Sequence, residues 1–223
     1  MNKKGFLFVV GLLFVLTIVF YFSDLDLAIS SLFFDGKWFL AERQPWLFLY
    51  DYGNIPSISM GVASLIYLII SIFKNNIREF RRAAIFILLA LILGPGLMVN
   101  SVFKKHWGRQ RPRQVEQFQA DGTFTKVWVK TSSGGSSFPS GHAAIGFFVL
   151  TPFFIFVKKD KKLAYTIFWI GFAYGLFMGV GRVVQGAHFA SDVLWSFGMV
   201  LLCNQLLYFW IKPDVKKKQK KHF

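Results

Sequence analysis

FPSGHAAIGFF, residues 138–148, is the stretch at which a polar, basic loop turns abruptly into an apolar run. Two further polar clusters, 104–112 and 182–192, lie at the ends of other apolar runs. The runs between these clusters are near bilayer length, roughly 20 residues each. The pattern predicts that folding brings the three polar clusters together at one face of a membrane.

The composition indicates an integral membrane protein. The chain has 223 residues, of which 54% are hydrophobic and 19% aromatic, and its mean hydropathy is +0.47. Its net charge of +15 lies mostly in short segments that flank apolar runs. Charge in that position orients a protein against an anionic membrane surface, so no nucleic-acid partner is predicted. The single cysteine, Cys203, lies inside an apolar run and forms no intramolecular disulfide.

The predicted fold class is all-α, an integral membrane bundle of six transmembrane helices. The spans are predicted at about 5–22, 56–73, 83–103, 140–157, 163–180 and 189–211, with GPG at 94–96 loosening the third. The first run is kept as a spanning helix because no small-residue cleavage pattern follows it. The aromatic-rich segment 23–54 predicts one or two interfacial helices. The whole chain, 1–223, is interpreted as one membrane domain that ends in a basic cytoplasmic tail, 212–223.

The charge pattern predicts an orientation for these spans. Six spans put both termini on one side, where the segments 74–82 and 158–162 and the C-terminal tail are all basic, hence cytoplasmic. The opposite face then carries 23–54, 104–139 and 181–188. The loop 104–139 is strongly cationic and breaks the charge rule. Binding of an anionic group on that face explains the exception.

The first two clusters contain groups that suit phosphate. Lys104 supplies a compact charge, and Arg111 a planar fork that matches phosphate oxygens. Ser140 and Gly141 stand where a helix begins, and helix N-terminal amides bind anions. His142 beside them is able to exchange a proton near neutral pH. Taken singly, the cations are headgroup contacts and the serine is an ordinary N-cap.

The third cluster contains Arg182, His188 and Asp192. His188 and Asp192 are four residues apart, so on a helix they share a face and the carboxylate accepts the ring N–H. The other ring nitrogen is then free, as a nucleophilic histidine requires. A paired histidine and aspartate at the mouth of a span are costly unless they are used, which favours a functional interpretation.

Taken together, the clusters resemble the signature of a known family. Lys104-x6-Arg111-Pro112, Pro139-Ser140-Gly141-His142 and Arg182-x5-His188-x3-Asp192 are similar to the three-part signature of the type 2 phosphatidic acid phosphatases, which share their site with vanadium haloperoxidases. The resemblance covers residues 104–192. The family's third part usually opens with Ser-Arg, whereas Gly181 precedes Arg182 here, so one hydroxyl donor to phosphate is missing.

The resemblance implies a role for each matching residue. His188 would attack phosphorus and form a phosphohistidine, with Asp192 orienting it, and His142 would protonate the leaving group and later activate water. Five residues would stabilise the charge on the phosphate oxygens: Lys104, Arg111, Arg182, Ser140 and Gly141. The reaction would need no metal and no cofactor, and the chain has no carboxylate cluster suited to magnesium. His106 is interpreted as an interfacial side chain.

The predicted function is hydrolysis of a membrane lipid phosphate at the periplasmic face of a bacterial inner membrane. Within the family, the segments 23–26 and 106–109 look most similar to small lipid A phosphatases. Undecaprenyl pyrophosphate and phosphatidylglycerophosphate are alternative substrates. A lipid phosphotransferase and a non-catalytic lipid-binding or transport protein are alternative functions, and the intact histidines argue against the second of these. A haloperoxidase is disfavoured because those enzymes are soluble. No feature of the sequence specifies an oligomeric state.

Overall fold

The structure is a computed structural model that describes residues 3–74 and 79–214. Its α-helices, in chain order, are α1 (Lys3–Phe22), α2 (Leu25–Ser31), α3 (Trp46–Tyr52), α4 (Ile55–Phe73), α5 (Arg81–Leu91), α6 (Lys104–His106), α7 (Gly141–Phe147), α8 (Phe153–Phe156), α9 (Lys161–Val184) and α10 (Ala190–Ile211). A π-helix, Ile92–Phe103, joins α5 to α6. No β-strand occurs within those two ranges, and the all-α prediction is confirmed there.

Five helical stretches are long and apolar enough to cross a membrane: Lys4–Phe22, Trp46–Phe73, Arg81–His106, Lys161–Val184 and Ala190–Ile211. Their outer faces carry large apolar side chains, such as Phe8 at 69% and Trp210 at 77% exposed. Hydrocarbon tails cover such faces without the penalty that water imposes. The chain is therefore a multi-pass membrane protein.

The predicted span 140–157 is a shorter apolar helix, Gly141–Phe156. It consists of α7, a 3₁₀ turn and α8, and Pro152 precedes α8. Phe147, Phe148 and Phe154 on it are at most 2% exposed. Protein surrounds this helix where lipid surrounds the others, so its interrupted backbone is sheltered from hydrocarbon. We call Gly141–Phe156 the central helix.

Helix α9 packs closely against the central helix because two of its residues lack side chains. A Cβ atom on Gly171 would lie 2.4 Å from the backbone nitrogen of Leu150, and one on Gly175 would lie 2.2 Å from the ring of Phe147. The end of α9 differs from the prediction. The helix continues to Val184, so Arg182 lies in its last turn and not in a polar stretch that begins at residue 181.

The third span is loosened where the sequence predicts it. The π-helix Ile92–Phe103 contains Pro95, which lacks a backbone N–H. The side-chain amide of Asn100 donates to the carbonyl of Pro95 at 2.8 Å. Side-chain bonding of this kind compensates for a broken backbone ladder in a membrane helix.

The segment after the first span forms two short helices, α2 and α3, as expected for residues 23–54. Trp38 between them packs against Phe34 and Phe118, with ring centroids 5.4 and 5.1 Å away. Parts of the segments used for the orientation lie outside the described ranges. These are residues 1–2, 75–78 and, in the predicted tail 212–223, all positions from 215 onwards.

Candidate active site

A polar cavity of about 350 Å³ lies where the ends of several helices meet. Five residues predicted from the sequence line it together: Lys104, Arg111, His142, Arg182 and His188. They come from α6, the long loop, α7, α9 and the turn before α10. The remaining lining residues, which the sequence did not single out, are Ala41, Glu42, Leu47, Tyr50, Arg113 and Gln185.

Four cations face this cavity: Lys104, Arg111, Arg113 and Arg182. None of them forms an ion pair with a carboxylate within the described parts of the chain. Burial and the neighbouring Arg113 hold the pKa of Arg111 below its ordinary value. Cations that repel one another in a confined space favour binding of an anion, since the anion relieves the repulsion.

His188 is buried at 1% exposure in the turn between α9 and α10. Its Nδ1 lies 2.6 Å from the carbonyl oxygen of Ser137. A carbonyl only accepts hydrogen bonds, so Nδ1 carries the proton and Nε2 keeps a free electron pair. Burial lowers the pKa of His188 to about 4; the Asp192 carboxylate opposes this shift, and Arg182 and Lys104 add to it. The ring is therefore neutral at physiological pH.

The expected hydrogen bond from His188 to Asp192 is wrong in its geometry. Helix α10 begins at Ala190, so His188 precedes the helix and does not share a face with Asp192. The distance from Nδ1 to Oδ2 of Asp192 is 3.8 Å, longer than a hydrogen bond. The carbonyl of Ser137 accepts the hydrogen bond from the ring N–H. The Asp192 carboxylate stabilises positive charge on the ring from slightly farther away.

Asp192 is fully buried and is bound on both carboxylate oxygens. Oδ2 accepts from the hydroxyl of Ser137 at 2.6 Å and from the backbone N–H of Phe189 at 2.8 Å. Oδ1 accepts from the guanidinium of Arg109 at 2.6 Å. Ser137 therefore contacts Asp192 with its hydroxyl and His188 with its carbonyl, which ties the two predicted residues together.

Arg109 is 1% exposed and lies between two carboxylates. It donates to Asp192 and, at 2.7 Å, to Asp26. Burial alone would lower the pKa of Arg109, but Asp192 and Asp26 outweigh that effect and raise it. Removing one member of such a buried pair typically costs about 3–5 kcal/mol, because the partner remains charged and unpaired. Sequence reasoning did not identify this cluster.

Ser140 and Gly141 do not line the cavity. The Ser140 hydroxyl caps α7 by accepting from the N–H of Ala143 at 3.4 Å, which is the ordinary N-cap role. A Cβ atom on Gly141 would lie 2.5 Å from the side-chain oxygen of Asn100, so glycine permits a close approach of α7 to the third span. Contact of these two residues with phosphate stays a prediction.

Tyr50 of α3 joins two predicted site residues. Its ring stacks on that of His142, with centroids 5.0 Å apart, and the guanidinium of Arg182 lies 4.7 Å above its centre. Gln185 holds Arg182 from the other side by accepting a hydrogen bond from it, and donates in turn to the carbonyl of Ala41 at 3.2 Å. The aromatic density of 23–54 was the signal in the sequence for this contribution.

Gly181 occupies the position where the family usually has serine. A Cβ atom there would lie 3.2 Å from the indole ring of Trp46. A serine at this position would therefore require the indole of Trp46 to move by a few tenths of an ångström, and glycine avoids that shift.

No group of three or more histidine, cysteine, aspartate or glutamate side chains within 3–74 and 79–214 is arranged to hold a metal ion. The groups that face the cavity are cations and imidazoles, with Glu42 as the one carboxylate in its lining. This donor set suits an anion directly.

The fold and the cavity define a class of protein: an integral membrane enzyme whose buried histidine faces a cationic cavity. The PAP2 superfamily matches residues 83–215, more than half of the chain. The chain belongs to this superfamily, and it is a phosphatase that acts on lipid phosphates.

Individual relatives agree with this assignment. The chain is 33% identical to a lipid A 4'-phosphatase of Francisella tularensis subsp. novicida, over 84% of this chain and 86% of that one. It is 30% identical to phosphatidylglycerophosphatase B of Bacillus subtilis, over 76% of each chain. A crystal structure of a transmembrane PAP2-type phosphatidylglycerolphosphate phosphatase from Bacillus subtilis has the same fold, with a TM-score of 0.51 and 22% identity over 96% of this chain and 98% of that one.

Proposed function

We propose that this protein hydrolyses a phosphate ester of a membrane lipid through a phosphohistidine at His188, and that lipid A is its substrate. The observation that carries the reaction is the Nε2 electron pair of His188 in a cavity with four cations that have no carboxylate partner among the described residues. Lipid A is favoured because the lipid A 4'-phosphatase of Francisella is similar over most of both chains.

The reaction has two steps. In the first, the Nε2 electron pair of His188 attacks phosphorus and the bond to the lipid oxygen breaks. His142, which the negative charge of the bound phosphate group favours in its protonated form, gives its proton to that oxygen. In the second, His142 takes a proton from water as the water oxygen attacks phosphorus. The P–N bond then breaks, its electron pair returns to Nε2 and phosphate leaves. His142 finishes protonated and His188 neutral, so protons and electrons balance.

Fixed cations stabilise the negative charge of the transferring group. Lys104, Arg111 and Arg182 face the cavity, and Nε of Arg182 has no hydrogen-bond partner among the described residues. Phosphoryl transfer depends chiefly on such positioning and charge stabilisation. We infer that the reaction requires no metal. The backbone of Ser140 and Gly141 would add donors from the start of α7.

A second cavity of about 530 Å³ supports a substrate with a large polar headgroup. It is lined by Lys37, Trp38, Phe39, Ala41, Glu42 and Arg43, and it shares Ala41 and Glu42 with the first cavity. Carboxylates and aromatic rings suit sugar hydroxyls and sugar rings, and cations suit a second phosphate. Lipid A is a phosphorylated glycolipid and offers both.

We further propose that residues 1–223 form one domain with six spans, the central helix being the fourth. Both termini, with the basic tail, would then lie in the cytoplasm, and the cavity would open at the periplasmic face of a bacterial inner membrane. The basic segments on the other side and the cationic loop 104–139 support this orientation.

Phosphate release by purified protein in detergent micelles tests the proposal. The panel is lipid A, undecaprenyl pyrophosphate and phosphatidylglycerophosphate, each with and without excess chelator. We expect the fastest release from lipid A and no effect of chelator. His188→Ala should lower the rate by about 10⁴-fold or more, because it removes the nucleophile. His106→Ala is the matched control, since His106 is exposed and does not line the cavity.

Other outcomes would overturn parts of the proposal. Retained turnover by His188→Ala would exclude the histidine nucleophile, and dependence on magnesium would exclude the metal-free reaction. Faster release from another panel lipid would reassign the substrate. Transfer of labelled phosphate to a second lipid would identify a phosphotransferase, and a wild-type protein without turnover would identify a binding protein.

A further inference from the structure

Arg109 does not line the cavity, yet it is a fully buried charged group next to the site. Its two terminal nitrogens bind different carboxylates, Asp192 at 2.6 Å and Asp26 at 2.7 Å. Its Nε donates to the carbonyl of Thr125 at 3.0 Å, and its guanidinium lies 4.4 Å above the centre of the Phe189 ring. Each contact fixes the plane of the guanidinium, so Arg109 is a rigid member of the cluster.

Asp26 anchors this cluster from the segment after the first helix. One of its oxygens accepts from the backbone N–H of Ser191 at 2.9 Å, and the other accepts from the Ser191 hydroxyl at 2.6 Å and from Arg109. Asp26 and Arg109 thus hold the beginning of α10, which carries Asp192. Three segments distant in sequence meet at one buried point.

The contacts continue from Asp192 to the ring of His188. Asp192 accepts from the Ser137 hydroxyl, and the Ser137 carbonyl accepts the ring proton of His188. A shift of the Asp192 carboxylate therefore moves the group that orients the ring. Arg109 bonds to Asp192, and the ring nitrogen Nδ1 of His188 bonds to Ser137, so Arg109 acts on the ring through Asp192.

The charges explain why an arginine is needed at this point. Asp26 accepts hydrogen bonds from Ser191, and Asp192 accepts one from Phe189. Without Arg109, both buried carboxylates would lose the cation that bonds to them. For stability alone, an apolar replacement of a buried ion pair often performs as well. The direction of the two guanidinium bonds, however, specifies where the Asp192 carboxylate lies.

We infer that Arg109 is a positioning residue of the reaction: anchored by Asp26, it fixes Asp192 and thereby the orientation of the His188 ring for in-line attack. This inference rests on the proposed role of His188 as nucleophile. On this inference the segment 23–26, through Asp26, and the run 106–109, through Arg109, act together to position Asp192.

The test compares three variants with the wild-type protein on the panel lipid that the wild type hydrolyses fastest. The double variant Arg109→Gln/Asp26→Asn removes the ion pair without leaving Asp26 unpaired. Arg109→Lys keeps the charge but cannot reach both carboxylates with a planar fork. The matched control is Lys126→Gln/Asp24→Asn. That pair, 2.7 Å apart and more exposed than Arg109 with Asp26, also joins the loop 104–139 to the segment 23–26, and it does not contact Asp192.

The readouts are kcat, KM and the inhibition constants of orthovanadate and inorganic phosphate. Orthovanadate becomes five-coordinate when a ring nitrogen attacks it, so its binding reports the orientation of the nucleophile, whereas phosphate reports the cations. We expect the double variant to lose about 100-fold in kcat, the cost of a small misplacement, and about as much in vanadate affinity. KM and phosphate inhibition should stay within about twofold. Arg109→Lys should show an intermediate loss, and the control should match the wild type.

A merely structural role gives a different pattern. Activity would then fall in proportion to the folded fraction, with the vanadate constant of the remaining enzyme unchanged, and that result would overturn the inference. If the double variant does not fold, Arg109→Lys decides, because wild-type kcat and vanadate inhibition in it would overturn the inference as well. A wild-type protein that releases no phosphate from any panel lipid would refute the proposed function itself, and the positioning role with it. An active wild type with an unchanged Arg109→Lys would refute the positioning role alone, whereas an inactive wild type would refute the proposed function. The two failures are therefore distinguishable.

Discussion

The ring of His188 is oriented by the backbone carbonyl of Ser137, and the Asp192 carboxylate lies farther from the ring. The carbonyl of Ser137 carries no charge, so it fixes the tautomer without attracting a second proton to the ring. Asp192, 3.8 Å from Nδ1, is already paired with Arg109. The ring is thus kept neutral for attack, and the carboxylate is close enough to stabilise the positive charge that appears when Nε2 bonds to phosphorus.

The low pKa of His188 is a measurable consequence of this environment. Burial lowers the pKa from 6.5 to about 4, so the ring should stay neutral as the pH falls from about 7 to 5. Nitrogen NMR of protein with isotope-labelled histidine should show the ring resonance of His188 titrating near pH 4. The same resonance should be missing from His188→Gln, which assigns it. A midpoint near 6.5 would contradict the buried, neutral ring.

The same shift predicts how stability depends on pH. The unfolded chain binds a proton at His188 near pH 6.5 and the folded chain near pH 4, so between these values the unfolded state holds more protons. The contribution is fully present above about pH 6.5 and is lost as the pH falls through the window. The wild-type protein should therefore lose more thermal stability than His188→Gln between about pH 7 and 5. Equal losses would contradict this linkage.

The sequence predicted the residues of the cavity better than the residues behind it. Lys104, Arg111, His142, Arg182 and His188 belong to short patterns with fixed internal spacing, and all five line one cavity. The residues behind them act through contacts across long stretches of chain, such as Arg109 with Asp26, 83 positions apart. No local pattern encodes such a pair, although both lie in segments that the sequence had singled out separately.

At the scale of helices, the extents of the spans were predictable, and the interruptions within the central helix were not. An apolar run is a local property, and five predicted spans coincide with long helices to within a few residues, apart from the extra helix that precedes the second. The interruptions within Gly141–Phe156 depend on which neighbours surround it. Arg182 stays within α9 because Gln185 and Tyr50 supply partners for its guanidinium, and those residues are not adjacent to it in sequence.

The close packing of α9 on the central helix predicts a contrast between two glycines. A methyl group on Gly171 would lie 2.4 Å from the nitrogen and 2.6 Å from the Cα of Leu150, and backbone cannot yield as a side chain does. Gly171→Ala should lower the stability by about 1–3 kcal/mol. Gly11→Ala in α1 meets nothing within 4 Å and should gain up to about 1 kcal/mol of helix propensity. Thermal unfolding in detergent micelles measures both.

The opposite order of these two variants would contradict the close approach of α9. An unchanged Tm for Gly171→Ala would mean that α9 lies farther from the central helix. Loss of activity in Gly171→Ala at temperatures where it stays folded would show that the spacing also positions Arg182, which the same helix carries.

For the whole molecule, the positive charge of the loop 104–139 is explained by the ion pairs that it forms and the cavity that it faces. The loop 104–139 breaks the charge rule, but five of its seven lysines and arginines are engaged. Arg109 and Lys126 pair with carboxylates, while Lys104, Arg111 and Arg113 face the cavity. Charges held in ion pairs or reserved for phosphate do not serve as topological signals in the way that free lysines beside a span do.

The orientation and the number of crossings can be tested together with single cysteines. Cys203 is the only cysteine and is buried, so Cys203→Ala provides a background without reactive thiols. Gln117→Cys and Lys162→Cys then add one exposed thiol each, on either side of the central helix along the chain.

A membrane-impermeant maleimide applied to intact spheroplasts should label Gln117→Cys, and it should label Lys162→Cys only after permeabilisation, because the central helix separates the two faces. Labelling of both sites from outside would mean that the central helix does not cross, and labelling of Lys162→Cys alone would reverse the orientation. Phosphate release by each variant shows that the labelled protein is the folded enzyme.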